Sequence, residues 1–287
     1  MSTEPWASEA TVDGGGVPIF FREIGSGPPI VLLHGFPQTG RCWRGVASRL
    51  ATGHRVLVPD LPGYGRSGRP EAFDAATLAR TITAFMAAAE APRATVVGHD
   101  WGGGIAYRIA GSHPDALDRL VVVNSPYREL DLKRGWYMLA FNLPVLPELA
   151  FTASRGRIVD LFLRVGAAQP DAFDGESLAA YRRALRPLDR RRNALAYYRT
   201  VTRHALLRAA GRRSGTPPGR IGCPAMIVWG ADDPALPVRL VDGIARDIPH
   251  ARIETLPGIG HFVPEEAPGQ LARLIADFVD QPSTTNG

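Results

Sequence analysis

The stretch Val96-Val97-Gly98-His99-Asp100-Trp101-Gly102-Gly103-Gly104 decides how the rest of the chain is read. An apolar run ends at Gly98, a short polar turn follows, and a glycine-rich segment opens the next element. The run reads as a buried strand and the glycines as the start of a helix. Glycines two positions either side of Asp100 allow a strand-to-helix turn too tight for larger side chains. A carboxylate stands at the apex of that turn, where a helix N-terminus favours an anion. Asp is also a common N-cap, so taken alone Asp100 is either a cap or a reactive group.

Outward from this turn, short apolar runs bounded by Gly or Pro read as strands: Val17–Phe21, Ile30–Leu33, Arg55–Val58, Thr95–Val97, Leu120–Val123, Met226–Trp229 and Arg252–Leu256. Helical patterns fall between them at Arg44–Leu50, Thr77–Glu90, Gly103–His113, Val238–Ile248 and Glu266–Asp280. This alternation predicts an α/β fold with a mostly parallel, doubly wound sheet. It breaks between about Tyr127 and Gly219, where the pattern is helical, rich in arginine and punctuated by proline. The expected layout is a core of residues 1–126 and 220–287, with a helical cap of residues 127–219.

The composition is that of an ordinary globular chain: 287 residues, 45% hydrophobic and 21% charged. Cys42 and Cys223 are too few for a disulfide framework and lack CxxC spacing, so no metal site is expected. Residues 1–16 lack a basic start followed by an apolar core, so no secretory leader is expected. No run is long enough to span a bilayer. A cytoplasmic protein with no membrane partner is the resulting expectation. The net charge of +5 is uneven: residues 127–219 hold 17 Lys and Arg against 8 Asp and Glu, a balance of +9. Only Lys133 is a lysine, which points to a GC-rich, bacterial coding bias and away from a nucleic-acid footprint.

Two later segments decide between cap and reactive group at Asp100. Trp229-Gly230-Ala231-Asp232-Asp233 ends one strand in a carboxylate-bearing loop, and Gly258-Ile259-Gly260-His261-Phe262 follows the last strand with a histidine. Nucleophile, acid and histidine in that order form a catalytic triad by chain position. A base titrating near neutrality is a histidine, and a carboxylate orients its ring. Asp233, followed by Pro234, is preferred as the acid, with Asp232 left to turn chemistry. His54, His113, His204 and His250 read as ordinary capped or exposed residues.

With these residues in place, the chain resembles the epoxide hydrolases of the α/β-hydrolase fold from about Val17 to Asp280. His34-Gly35-Phe36-Pro37 is similar to that family's oxyanion loop, Asp60-Leu61-Pro62-Gly63-Tyr64-Gly65-Arg66-Ser67-Gly68 to its second conserved turn, and Gly98–Gly103 to its nucleophile motif. Gly135-Trp136-Tyr137-Met138 and Ala194-Leu195-Ala196-Tyr197-Tyr198-Arg199 resemble the two cap segments bearing the family's paired tyrosines. The resemblance implies an α/β-hydrolase fold with a helical cap inserted after the sixth strand. It implies attack by Asp100 on an epoxide carbon through a covalent alkyl-enzyme ester, with ring opening assisted by Tyr137 and Tyr198. Water activated by His261 and Asp233 then releases a diol. Phe36 and Trp101 would supply oxyanion N–H groups, His34, Pro37 and Trp136 would surround the substrate, and the Phe36–Pro37 bond would be cis.

Alternatives remain open on sequence. Both tyrosines could be core residues of the cap helices, and Tyr197 rivals Tyr198. A haloalkane dehalogenase shares the Asp nucleophile, although Phe36 offers no side-chain donor to a halide. A binding protein on an inactive hydrolase scaffold is the third reading. An epoxide and water are the expected partners, with no cofactor and no nucleic acid, in a monomer or homodimer. An apolar pocket wall is expected from Trp136, Phe141, Leu143, Leu146, Leu149, Phe151, Phe162 and Tyr181.

Overall fold

A computed structural model describes residues 5–127, 136–211 and 219–281, except for the side chains of residues 136, 137 and 209. The strands are β1 Ser8–Asp13, β2 Pro18–Ile24, β3 Pro29–Leu33, β4 Arg55–Pro59, β5 Ala94–His99, β6 Leu117–Val123, β7 Ala225–Gly230 and β8 Arg252–Leu256. The helices are α1 Arg44–Leu50, α2 Ala75–Ala88, α3 Trp101–Ser112, α4 Trp136–Ala140, α5 Leu146–Ala153, α6 Arg157–Gly166, α7 Gly175–Ala184, α8 Leu188–Ala209, α9 Leu240–Asp247, α10 Val263–Glu266 and α11 Pro268–Val279. The strands form one sheet in the order β1-β2-β4-β3-β5-β6-β7-β8. Only β1–β2 and β2–β4 pair antiparallel; every other pairing is parallel.

Parallel strands covered on both faces bury every side chain, so they read as unbroken apolar runs. β5 and β7 are buried at all positions, and β3 at all but its first. Each fully buried Val, Leu or Ile there contributes about 1.5–3 kcal/mol. β1 escapes this pattern and is absent from the sequence expectation. Five of its six residues are exposed, and it is held on the sheet edge by its ladder to β2. An edge strand that buries neither face carries no hydrophobic signal. α2 begins two residues earlier than its apolar pattern, because Asp74 accepts hydrogen bonds from the Ala76 and Thr77 N–H groups.

Helices α4 to α8 all lie between β6 and β7. Core and insertion are joined by polar contacts. Arg44 of α1 reaches Ser177 Oγ at 2.8 Å and Asp174 Oδ2 at 2.9 Å, and the Tyr181 hydroxyl donates to Glu265. The Glu266 carboxylate accepts from the backbone N–H groups of Ala168, Gln169, Gly260 and Phe262, all within 2.8–2.9 Å. It thereby ties the end of α6 to the loop after β8. The C-terminal ends of β3, β5, β6, β7 and β8 come together along one edge, beside this insertion.

Candidate active site

Asp100 sits between β5 and α3 with φ 50° and ψ −117°, a left-handed conformation that costs a non-glycine residue energy and tends to persist where function requires it. The turn closes because its neighbours have no side chains. A Cβ on Gly98 would lie 2.3 Å from the Gly102 carbonyl oxygen, and one on Gly102 would lie 2.2 Å from that of Leu33. Backbone bonds hold the apex: Asp100 N donates to Val123 O at 3.2 Å, and Ser125 Oγ donates to Asp100 O at 2.8 Å. The residue occupies the N-cap position of α3, yet its side chain makes no capping bond. Instead Oδ1 accepts from the Phe36 N–H at 2.9 Å, and Oδ2 lies 3.7 Å from His261 Nε2. The geometry therefore turns this carboxylate away from helix capping.

His261 follows β8, and its Nδ1 donates to Asp233 Oδ2 at 2.7 Å. Asp233 follows β7 and is fully engaged. Its Oδ2 also accepts from Asn124 Nδ2 at 2.7 Å, and its Oδ1 accepts from the Ala235 and Leu236 N–H groups at 2.8 Å. Asp232 is spent on the turn, where it accepts from Gly258 N at 2.7 Å. Asp233 is thus the carboxylate on the His261 ring, and Asp232 is not.

The charges of this trio are coupled. Burial alone would lower the His261 pKa, but the Asp233 charge and the hydrogen bonds and charge of Asp100 outweigh it and raise the value to about 10. Burial alone would likewise raise Asp100, but its bond to His261, the His261 charge and the Phe36 N–H hold it below the ordinary carboxylate range. Both shifts favour an imidazolium facing a carboxylate. Removing the carboxylate charge removes an attraction that favours the cation, so His261 must then titrate lower. In Asp100→Asn, His261 is expected to titrate about 1–3 units lower than in the parent chain, read by NMR of the ring protons. An unchanged value would show that Asp233 alone sets it.

Three residues of this site escaped the sequence reading. Asn124, after β6 with φ 41°, holds Asp233 with its amide N–H and accepts from Gly230 N at 2.9 Å. Its signal was an Asn at a strand end, a residue that tolerates the left-handed region. His99 is buried, and its Nε2 donates to the His261 carbonyl at 2.9 Å. Burial, then the His261 charge, push its pKa down to about 4 and keep it neutral. Glu266 grips the backbone on both sides of His261. No local pattern marks it, because its partners are backbone groups brought in by the fold.

The remaining expected residues divide. Phe36 and Pro37 line a cavity of about 560 Å³ together with Asp100, His261 and Tyr198. The Phe36–Pro37 peptide bond is cis. Trp101 lines a second cavity, about 400 Å³, that also reaches Asp100, His261 and Tyr198. His34 departs from its expected place beside the substrate. Its Nδ1 donates to the Gly35 carbonyl at 3.0 Å, its Nε2 accepts from Leu61 N at 2.9 Å, and it lines neither cavity. Both ring nitrogens are used to join the loop after β3 to the Asp60 turn. Tyr198 stands edge-on to Trp101, Phe141 and Phe36, with ring centroids at 4.7, 4.9 and 5.3 Å. The hydroxyl of Tyr197 instead donates to the Pro62 carbonyl at 2.9 Å. Trp136 and Tyr137 belong to α4, and their side chains lie outside the described residues.

Of the expected wall, Phe141, Leu143, Leu146, Phe151 and Phe162 line the larger cavity. Leu149 is exposed, and Tyr181 is spent on Glu265. His204, expected as an ordinary capped or exposed residue, lines the second cavity.

Comparison with known proteins agrees with this architecture. The alpha/beta hydrolase fold family matches residues 28–268. A soluble epoxide hydrolase of Corynebacterium sp. (strain C12) is 29% identical, covering 93% of this chain and 95% of that protein. Epoxide hydrolase 3 of Mus musculus is 28% identical, covering 89% of this chain and 71% of its own length. The crystal structure of ALR0039 from Nostoc sp PCC 7120 aligns with a TM-score of 0.85 at 26% identity, covering 96% of this chain and 98% of that one. By the extent of the family match and the geometry of its sheet, the chain belongs to the α/β-hydrolase fold family.

Proposed function

We propose that this protein is an epoxide hydrolase in which Asp100 is the nucleophile, Asp233 and His261 complete a triad, and the helices between β6 and β7 act as a cap. The observation that carries the reading is a carboxylate, in place of a hydroxyl or thiol, at the apex of the turn. It faces His261 and shares a cavity with Tyr198. The epoxide hydrolases among its relatives support the same chemistry.

Asp100 Oδ2 attacks a ring carbon and the carbon–oxygen bond breaks, leaving an alkyl ester and an alkoxide. Tyr198 donates a proton to that alkoxide, and Tyr137 is assigned the partner role by its position in the cap segment. Ester formation cancels the Asp100 charge. His261 then loses the attraction that raised it, gives up its proton to rebalance the phenolate, and becomes a base. It removes a proton from water, which attacks the Asp100 carbonyl carbon. The Phe36 N–H, already 2.9 Å from Asp100 Oδ1, and the Trp101 N–H receive the developing oxyanion. The tetrahedral species collapses, His261 passes its proton to the departing alkoxide, the diol leaves, and the new carboxyl gives its proton to His261, restoring carboxylate and imidazolium. Splitting one hard displacement into two easier steps is the gain of covalent catalysis.

Asp100 lies where both cavities meet, so substituents on either side of the epoxide have a place to go. The larger cavity is walled by phenylalanine and leucine, which fits an apolar substituent. A single turnover in heavy-oxygen water tests the route: the first diol is expected to carry light oxygen taken from Asp100. Heavy oxygen in that first diol would rule out the ester.

One observation favours a second reading. Among the described residues the buried Trp101 indole Nε1 has no hydrogen-bond partner, and such a donor suits a departing halide. Chloride release from a haloalkane, at a rate matching epoxide turnover, would establish a dehalogenase.

A further inference from the structure

We propose that the outer face of α5 and α6 docks on an anionic lipid surface, with the larger cavity opening into it. Val145, Leu146, Leu149, Leu161 and Val165 are each 57–63% exposed. Large exposed apolar patches on a folded chain mark interaction sites. Leu146, Leu161 and Val165 also line the larger cavity, so the apolar surface and the mouth of the cavity are continuous.

Charge identifies the occupant. Arg157, Leu161 and Arg164 follow one another at helical spacing on α6, so the same stripe is both apolar and cationic. Both arginines are exposed, and neither guanidinium has an ion pair or hydrogen bond among the described residues. Asp160 of the same helix is paired with Arg182 at 3.4 Å. Apolar side chains beside cations suit the boundary between acyl chains and anionic headgroups, where long cationic side chains reach outward. A second copy of this chain fits less well. The cations on this face, Arg157 and Arg164, would meet their own copies across a two-fold contact, opposing like charges.

No described helix is long and apolar enough to cross a membrane, so the contact is peripheral. A peripheral contact of this kind would go beyond the expectation of no membrane partner, and the face that carries it forms where α5 packs on α6. The proposal rests on the epoxide reading for its cargo alone: an apolar epoxide dissolved in lipid would enter the cavity without crossing water.

Flotation of the full chain with vesicles tests it. Binding to phosphatidylcholine vesicles containing phosphatidylglycerol is expected to exceed binding to pure phosphatidylcholine by about tenfold, and to weaken as salt rises. Val145→Asn/Leu149→Gln and Arg157→Gln/Arg164→Gln should each lower that binding by about tenfold without lowering thermal melting. None of these four residues lines either cavity, so turnover of a short water-soluble epoxide should persist. Equal binding to both vesicle types, or binding insensitive to both variants, would overturn the proposal. So would a dimer, seen by light scattering, that the Val145/Leu149 variant dissociates. Vesicle binding without epoxide turnover would sink the catalytic reading and leave this one standing.

Discussion

His261→Gln is expected to stop after half a reaction. The glutamine amide can still donate to Asp233, so the loop keeps its support, but it cannot take a proton from water. Loss of a general base typically costs about 10²–10⁴ in rate. Ester formation does not need the His261 base: Asp100 keeps the Phe36 N–H that favours its charged form, although losing His261 lets burial push its pKa up, so the adduct is sought at alkaline pH. A covalent adduct should therefore accumulate, and intact-mass measurement should show the chain heavier by one epoxide. Asp100→Ala should show neither adduct nor turnover. A His261→Gln variant that still turns over would remove His261 as the base. One that makes no adduct with Asp100 present would remove the ester.

Tyr198→Phe should have the opposite signature. Ring opening loses its proton donor and slows by about 10²–10⁴, while hydrolysis of an ester already formed is unchanged. Pre-steady-state kinetics separates the two steps. Tyr197→Phe should instead act on stability. Its hydroxyl is buried against the Pro62 carbonyl, and leaving that acceptor unsatisfied costs about 1–3 kcal/mol, read by denaturant unfolding. Equal catalytic losses in both variants would overturn the assignment of distinct roles. The same pair sorts the competing reaction, since a departing halide needs no proton and a dehalogenase would tolerate Tyr198→Phe on a haloalkane.

The order of strands and loops was legible because parallel strands buried on both faces leave long apolar runs, and because a turn as tight as that at Asp100 demands glycine. Those signals are local, and they placed Asp100, Asp233 and His261 at the ends of β5, β7 and β8. β1 was illegible for the complementary reason: it buries almost nothing.

What the tertiary structure decided is which of several adjacent candidates faces the site. Tyr197 and Tyr198 are neighbours on α8 and both line the second cavity, but the Tyr197 hydroxyl is taken by the Pro62 carbonyl, while Tyr198 lines both cavities that reach Asp100. His34 belongs to the right loop, yet its nitrogens are consumed by Gly35 and Leu61. Asn124 and Glu266 matter through partners as far as 109 and 98 residues away. The raised His261 pKa arises only when Asp100 and Asp233 meet at one ring. Sequence by itself determined which chemical groups are present and in what order. Direction, proton state and the apolar face of α5 and α6 needed the fold, because each depends on contacts between segments far apart in the chain.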